Sequence, residues 1–303
     1  MRGPRLTAAL TLAIGVVWLT APRSLAINAA AAEPGAAPSR WPSPGAPLQA
    51  PAVEVPKGFG KHKVFIDAGH GAEDNAGVAS VTCEQEMDFT LRAAEDLARR
   101  LEATGHFQVR VSRKAGEAVS YPRRLKDAAS WGAEAILSLH ADARGVAYAW
   151  QASPGTFCFR NDETPGFSVL YSDRGGQALN AARRSLARAV ARRMASAGLA
   201  AYDGRDYPGL YLDDQEQAGA FIDRRYLYVL RKPAVPSVIV ETHHFLDLEE
   251  AARWHEPRTL EAFAAAVEGA LVEVLSPRPA SAAAPVTATT AVPAAAPWPT
   301  GTN

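Results

Sequence analysis

The sequence has little cysteine and no excess of either charge. Its 303 residues contain two cysteines, which excludes a disulfide-dense miniprotein. Lysine and arginine together number 32, as do aspartate and glutamate, so the chain lacks the basic field on which many nucleic-acid binders rely. Hydrophobic residues make up 48% and charged residues 21%, which excludes a collagen and a chain disordered throughout. We therefore expect a globular domain and no nucleic-acid partner.

The apolar run near the N-terminus, residues 6–20, is too short for a membrane span, which requires about 20 apolar residues. Arginines precede this run, and a small-x-small site ending at Ala26 follows it, as a signal peptidase requires. We predict a Sec-type signal peptide at residues 1–26. The mature protein is then periplasmic or secreted, without stable membrane insertion after cleavage. An uncleaved membrane anchor is the alternative.

Segments rich in alanine and proline flank the central part of the chain. Frequent proline blocks regular helices and sheets, and few large apolar side chains remain there to be buried. We predict a linker at residues 27–57 and a disordered tail, rich in alanine, proline and threonine, at residues 277–303. Residues 58–276 then form a single domain that is long enough to bury a sizeable core.

Short apolar runs alternate with segments of helical periodicity within this domain. Residues 86–103 place apolar side chains near a 3.6-residue period, as an amphipathic helix does. Strands that alternate with helices are typical of an α/β domain whose sheet carries helices on both faces. The predicted strands are residues 63–69, 107–112, 135–141, 167–172, 226–231 and 237–242, and the predicted helices are residues 86–103, 123–131, 176–197 and 258–275.

Polar side chains stand at the ends of three predicted strands. His70 follows the first strand, His140 ends the third, and Glu241 ends the last, while Glu86 begins the first helix. Because functional groups in α/β sheets gather where strands end, we expect these four side chains to lie close together. Taken singly, each has an ordinary explanation, such as a loop histidine or an acid that complements a helix dipole.

Two histidines and a glutamate are a ligand set that Zn²⁺ accepts, with one position left for water. Bound zinc acidifies that water and polarises a carbonyl group, and a further carboxylate can pass the water's proton to a leaving amine. We also expect Asp67 to orient His70. The spacing alone does not identify a zinc site, because the sequence has no HExxH helix. An exported α/β domain without zinc is the alternative.

Four motifs in fixed order resemble the zinc-dependent N-acetylmuramoyl-L-alanine amidases of the amidase-3, AmiC-like family. They are VFIDAGHG, a helix that begins Glu-x-Asp-x-x-Leu, SLHAD and VIVET, and the resemblance covers about residues 62–275. It implies a mixed sheet of about six strands flanked by helices. It also implies that His70, Glu86 and His140 bind one Zn²⁺ per chain and that Glu241 is the catalytic acid and base.

Two further assignments follow from the family's motifs. Glu86, Asp88 and Leu91 match the family's helix motif, whereas Glu84 does not, so the resemblance favours Glu86 as the ligand. Arg124 falls where the family carries an arginine at the start of the helix before the SLHAD strand. The resemblance leaves open whether Arg124 acts directly in the site as a catalytic residue or forms a structural salt bridge.

Two features of the sequence remain open. His243 and His244 stand where the family usually has Gly-Phe after the catalytic Glu-Thr pair. Two imidazoles beside the base could narrow the cleft, bind substrate or alter the metal site. Cys83 and Cys158 could form a disulfide in an oxidising compartment, but the sequence does not give the distance between them.

The resemblance implies an exported peptidoglycan hydrolase whose catalytic domain is residues 58–276. It would use zinc-activated water to cleave the amide between N-acetylmuramic acid and L-alanine. Peptidoglycan is then the expected partner, and the need for an activator protein stays open. The alternatives are a zinc hydrolase that acts on another exported peptide or amide, and a catalytically silent peptidoglycan-binding module.

Overall fold

Strands and helices alternate along most of the domain, as the periodicity predicts. The computed structural model describes residues 48–276. Within this range the elements are β1 (His62–Ala68), α1 (Glu86–Ala103), β2 (Phe107–Val111), α2 (Tyr121–Trp131), β3 (Ala135–Asp142), β4 (Tyr148–Ser153), β5 (Thr156–Arg160), β6 (Ser168–Tyr171), α3 (Gln177–Ser196), β7 (Tyr211–Asp213), β8 (Ala220–Asp223), α4 (Tyr228–Arg231), β9 (Ser237–His244), α5 (Leu248–Arg253) and α6 (Pro257–Leu275).

The main sheet is mixed and has the strand order β2-β1-β3-β9-β6-β8-β7. Strands β2, β1, β3 and β9 run parallel to one another, whereas β6 is antiparallel to β9 and β7 is antiparallel to β8. The α/β class is confirmed, with seven strands in this sheet where the resemblance implied about six. Because β1, β3 and β9 are parallel neighbours, their carboxyl ends meet at one edge.

Helices cover both faces of the sheet. Alternate residues of β1 point to opposite faces, so Val64 and Ile66 join the large core beneath α1, α3 and α6, whereas Phe65 packs with Ala128 of α2 on the other side. Helix α4 contacts β9 on the same side as α2. Because both faces of the central strands are covered, their side chains are buried along the strands, and polar side chains stand at the ends of the strands.

The strand predicted at residues 226–231 is wrong, because this segment turns into the short helix α4. The buried Asp223 carboxylate accepts hydrogen bonds from the backbone N–H groups of Arg225 (2.8 Å) and Leu227 (2.8 Å). Tyr226 between them adopts a left-handed backbone with φ of 62°. This side-chain-to-backbone bonding competes with strand pairing and bends the chain, which apolar patterning does not reveal.

The segment between β3 and β6, for which no strand is predicted, contains the separate two-stranded hairpin β4–β5. Cys158 on β5 forms a disulfide with Cys83, with a Cα–Cα distance of 5.5 Å. The pairing that the sequence left open is thus present. It attaches the hairpin to the segment that leads into α1, immediately before Glu86.

The packed domain begins upstream of residue 58. Leu48 is buried, Val53 and Val55 pack against the main core, and the Gln49 backbone N–H donates to the Ala197 carbonyl at 2.9 Å. Residues 48–57 therefore belong to the domain although their composition suggests a linker.

The predicted signal peptide (1–26), the linker residues before 48 and the predicted tail (277–303) lie outside the described residues. Between residues 48 and 276, no helix has both the length and the apolar character that crossing a bilayer requires.

Candidate metal centre

His70 occupies a sharp turn directly after β1. Its backbone is left-handed, with φ of 58°, and Gly71 continues the turn with φ of 68°. A left-handed histidine is uncommon and is typical of positions where the surrounding structure holds a functional group in place. Gly69 allows the turn to approach β3 closely, since a Cβ at this position would lie 2.5 Å from the His140 ring.

Glu86 is the first residue of α1 and is nearly fully buried. Its Oε2 accepts a hydrogen bond from the Val78 backbone N–H (3.2 Å), and its Oε1 accepts one from the Ala141 N–H (3.2 Å). Gly77 leaves the space that the carboxylate fills, because a Cβ there would lie 2.6 Å from Oε2. The end of β3 and the loop before α1 therefore fix the position of this carboxylate.

The side chains of His70, Glu86 and His140 converge on one point. Glu86 Oε1 lies 3.0 Å from His70 Nε2 and 3.0 Å from His140 Nδ1. One potential ligand atom from each residue falls within 4.8 Å of the others, so this group could bind a metal ion. Burial alone would raise the pKa of Glu86, but the hydrogen bonds with His140 and His70 lower it, which keeps the carboxylate charged.

Asn75, not Asp67, orients His70. The His70 Nδ1–H donates to Asn75 Oδ1 at 2.7 Å, which leaves Nε2 available as a ligand. The Asn75 amide in turn donates to the Tyr121 hydroxyl at 3.2 Å. The prediction for Asp67 is therefore wrong, because its carboxylate lies beneath the turn with Arg124 and Ser138 as partners.

Glu84 lies outside the cluster although it is only two residues from Glu86. Its carboxylate forms ion pairs with Arg92 (2.9 Å) and His255 (3.2 Å). Of the two acids that the sequence offers, the structure therefore brings Glu86 to the histidines.

Glu241 is positioned by the pairing of β9 with β3, where it stands directly opposite His140. Its Oε2 is buried and has no hydrogen-bond partner among the described residues. Burial, with a further contribution from the negative charge of Asp142, raises the pKa of Glu241 to about 8. A carboxyl group with a pKa in this range can both accept and release a proton near neutral pH.

Arg124 is fully buried and does not line the cavity in front of the cluster. Its guanidinium pairs with Asp67 at 2.9 Å and donates to the carbonyl oxygens of Ala68 (2.8 Å), Val119 (2.8 Å) and His70. The sequence left open whether Arg124 acts directly in the site or forms a structural salt bridge, and these contacts are those of a structural salt bridge. Arg124 holds the turn that carries His70.

His243 and His244 lie in the core and do not line the cavity. The His243 ring stacks on Trp254, with centroids 5.4 Å apart, and meets the edge of Phe89. His244 Nδ1 lies 3.2 Å from the Asp142 carbonyl oxygen. Burial and the positive charge of Arg144 lower the pKa of His244 to about 3, so this ring is neutral at pH 7. In this structure neither imidazole narrows the cleft or contacts the ligand cluster.

The cluster opens into a cavity of about 510 Å³, a size suited to a small ligand. One side, which we call the histidine wall, consists of His70, Glu86, His140 and Glu241. A second group of lining residues, which we call the tyrosine wall, consists of Tyr211, Arg225 and Tyr228. The other lining residues are Val78, Tyr121, Ala141, Asp142, Ala143, Leu227, Val229 and Ile239.

Sequence reasoning missed the tyrosine wall and Asn75. Tyr211 and Arg225 belong to a segment with no recognised motif, and Tyr228 lies in the mispredicted helix. The signal that could have indicated Asn75 is its place five residues after His70, close enough for its amide to reach back to the imidazole.

The chemistry of the donor set fits a divalent transition metal such as Zn²⁺. Two imidazoles and one charged carboxylate provide three ligands, and the cavity leaves room for a water molecule or a substrate group beside them. Glu241 adds a carboxyl group next to this site that is not needed as a ligand.

The chain is similar to several known proteins. A family model described as N-acetylmuramoyl-L-alanine amidase matches residues 64–273, more than half of the chain. The chain is 41% identical over 86 residues to N-acetylmuramoyl-L-alanine amidase CwlM of Bacillus licheniformis, covering 27% of this chain and 32% of that protein. It is 28% identical over 190 residues to N-acetylmuramoyl-L-alanine amidase LytC of Bacillus subtilis strain 168, covering 63% of this chain and 31% of that protein. The chain thus spans about a third of the length of these curated relatives.

Solved structures show the same fold. N-acetylmuramyl-L-alanine amidase Ami1 from Mycobacterium smegmatis matches with a TM-score of 0.56 at 23% identity, covering 72% of this chain and 98% of that one. An N-acetylmuramoyl-L-alanine amidase from Clostridium difficile 630 matches with a TM-score of 0.53 at 20% identity, covering 70% of this chain and 96% of that one.

Proposed function

Because the chain belongs to the N-acetylmuramoyl-L-alanine amidase family, we propose that it is an exported, zinc-dependent hydrolase of peptidoglycan. Its reaction is the hydrolysis of the amide between the lactyl carbonyl of N-acetylmuramic acid and the amino group of L-alanine. Water adds to the carbonyl carbon, the C–N bond breaks, and the stem peptide leaves with a free amino terminus.

His70, Glu86 and His140 are the residues that would hold the zinc ion. When bound, the ion supplies a Lewis acid that polarises the amide carbonyl and lowers the pKa of water. Asn75 holds the His70 ring in the orientation that presents Nε2, and backbone N–H groups hold Glu86. The chain therefore provides its ligand atoms from positions that are fixed before the metal arrives.

Glu241 is the proton carrier of the proposed reaction. Its carboxylate accepts a proton from the attacking water and returns it to the departing amine nitrogen, so the group ends in its starting state. Its unpartnered, buried Oε2 and its raised pKa support this role. Arg124 takes no part in the proton transfer and acts as a positioning residue beneath the His70 turn.

One observation carries the proposal, namely that a three-residue ligand cluster and an unpartnered carboxyl group line one cavity. The test is the Glu241→Gln variant of the exported chain, assayed for zinc content and for release of stem peptides from purified sacculi. We expect the normal zinc content and a loss of turnover of at least about 100-fold, the lower range for removing a general acid–base group.

Glu84→Gln is the matched control, because Glu84 is a nearby acid that lies outside the cavity. Its release rate should remain close to that of the wild type. Retained turnover in Glu241→Gln would remove Glu241 from its role. Zinc binding by the wild type without any release of stem peptides would contradict the proposed reaction and favour the silent binding module. No second enzymatic function is proposed, since the histidine pair on which that alternative rested lies in the core.

A further inference from the structure

Arg225 gives the cavity a positive group that is not part of the ligand cluster. Among the described residues that line the cavity, it is the only lysine or arginine, while Glu86, Asp142 and Glu241 are acids. Glu86 is paired with the two histidines and Asp142 with Arg144, and none of the three acids can attract an anionic part of a substrate. Arg225 is therefore the group on the tyrosine wall that can attract an anion.

The backbone around Arg225 is held in one conformation. Asp223, which is 1% exposed, accepts hydrogen bonds from the N–H groups of Arg225 and Leu227, both at 2.8 Å. Tyr226 is left-handed, and the guanidinium of Arg174 lies over its ring at 4.0 Å. A non-glycine residue in this conformation is strained, and such strain is typical of segments that position a functional side chain.

The side chain of Arg225 is also oriented. Its Nη1 donates to the Tyr211 hydroxyl at 3.0 Å, and this is the one hydrogen bond its side chain makes among the described residues. A guanidinium carries five N–H donors in a planar fork that matches a carboxylate. Because Arg225 is exposed and lines the cavity, its remaining donors are available to a ligand.

The substrate chemistry identifies the anion. In the proposed reaction, the lactyl carboxyl group of N-acetylmuramic acid is consumed in the amide that is cleaved, so a carboxylate near that amide must come from the peptide stem. The first such group is a free α-carboxylate on the residue after L-alanine, which a γ-linked glutamate supplies. Amidation of this carboxylate removes the charge and leaves the shape almost unchanged.

We propose that Arg225 is a specificity-determining residue that binds the α-carboxylate of the second stem residue and so favours acidic stems over amidated ones. This inference rests on the proposed function. Tyr211 holds the guanidinium in position, and Tyr228 forms the neighbouring surface of the same wall. The charge-assisted pair forms in the cavity that the ligand cluster lines, through a side chain that is not one of the proposed ligands.

The test uses two matched muramoyl peptides that differ only in a free or an amidated α-carboxyl group on the second residue. The zinc-loaded wild type should show a higher kcat/KM for the free acid by about 10- to 100-fold, the range for a hydrogen-bonded charge. Arg225→Met should lose this preference, mainly through a higher KM for the acid, and Arg225→Lys should keep part of it. Arg224→Met is the control, because Arg224 pairs with Asp173 at 2.9 Å and does not line the cavity.

A second measurement separates this inference from the proposed reaction. Calorimetry with the two free stem peptides, acid and amidated, reports recognition without turnover. If the wild type binds the acid peptide selectively and Arg225→Met abolishes this selectivity, the inference is supported, even if no muramoyl peptide is cleaved. A failure to cleave any muramoyl peptide would contradict the proposed function and not the inference. Equal kcat/KM values and equal affinities for the two forms in the wild type would overturn the role of Arg225 and leave the proposed function intact.

Discussion

The two walls of the cavity are built in different ways. The histidine wall stands on the carboxyl ends of the central parallel strands β1, β3 and β9 and on the first residue of α1, where His70, Glu86 and His140 bond to one another and Glu86 also bonds to backbone groups. The tyrosine wall stands on the edge strand β7, on the turn before α4 and on the first residue of α4, and its Arg225 and Tyr228 are exposed. The proposed reacting groups thus stand on the central strands of the sheet, and the groups proposed to contact the rest of a ligand stand at its edge. Rigid central strands hold reacting side chains in a fixed geometry, whereas residues at the edge of a sheet can differ between proteins with different substrates.

The largest expected effect comes from removing a proposed metal ligand from the histidine wall. His140→Ala removes one of three ligands, so zinc should be lost from the purified protein, and stem-peptide release should fall by at least about 1,000-fold as the metal chemistry disappears. Metal analysis and the sacculus assay measure both quantities. Tyr228→Phe, a change in the tyrosine wall, should keep its zinc. A His140→Ala protein with full zinc content would contradict the ligand assignment.

The disulfide lies close in sequence to the histidine wall, since it joins the β4–β5 hairpin to the segment that precedes Glu86. Replacing Cys83 and Cys158 together by serine should lower the free energy of unfolding by about 2–5 kcal/mol, because the unfolded chain loses a cross-link over a long loop. Denaturant titration measures this value. An unchanged denaturation midpoint would show that the disulfide does not stabilise the fold.

Asn75 is expected to support the histidine wall by orienting the His70 ring. Asn75→Ala frees the His70 ring to rotate, and zinc affinity should fall by about 10- to 100-fold, as is usual when a partner of a metal ligand is lost. A competition titration with a coloured chelator gives the affinity. Asn75→Asp keeps an acceptor for Nδ1–H and serves as the control. If Asn75→Ala and the wild type bind zinc equally, the hydrogen bond does not orient the ligand.

The core histidines that follow Glu241 predict an acid-sensitive stability. The pKa of His244 is about 3 in the fold against the ordinary value of 6.5, so the unfolded chain binds the extra proton below pH 6.5 and stability falls as the pH falls. Relative to His244→Asn, the wild type should lose about 2 kcal/mol between pH 6.5 and pH 5. Urea denaturation at the two pH values provides the comparison, and a difference that does not change with pH would argue that His244 is protonated in the fold.

The smallest expected effect lies in the tyrosine wall. Tyr211→Phe removes the hydroxyl that accepts from Arg225, and the loss of one hydrogen bond should raise KM for the acidic muramoyl peptide by about fivefold. The kcat value should stay near that of the wild type because the reacting groups are on the other wall. Steady-state kinetics separates the two parameters. A lower kcat with an unchanged KM would place Tyr211 in the chemistry instead.

The predictable part of the site is the part that stands on central strands. Short apolar runs ending at His70, His140 and Glu241 indicated buried strands, and parallel strands bring their carboxyl ends to one edge. The resemblance then distinguished Glu86 from Glu84, and the structure brings Glu86 to the histidines. The strand predicted over residues 226–231 failed because the bonds from Asp223 to the backbone outweigh apolar alternation there.

The sequence by itself determined the α/β class, the central strands and the four groups that face one another, since each depends on local periodicity or on a motif. Only the tertiary structure decided that Asn75 and not Asp67 holds His70, that Cys83 pairs with Cys158, and that the two histidines that follow Glu241 and Thr242 are buried in the core. It also decided that Tyr211 and Arg225 complete the cavity. The physical reason is that these contacts join segments through turns, strand register and side-chain bonds to the backbone, none of which leaves a periodic signal in the sequence.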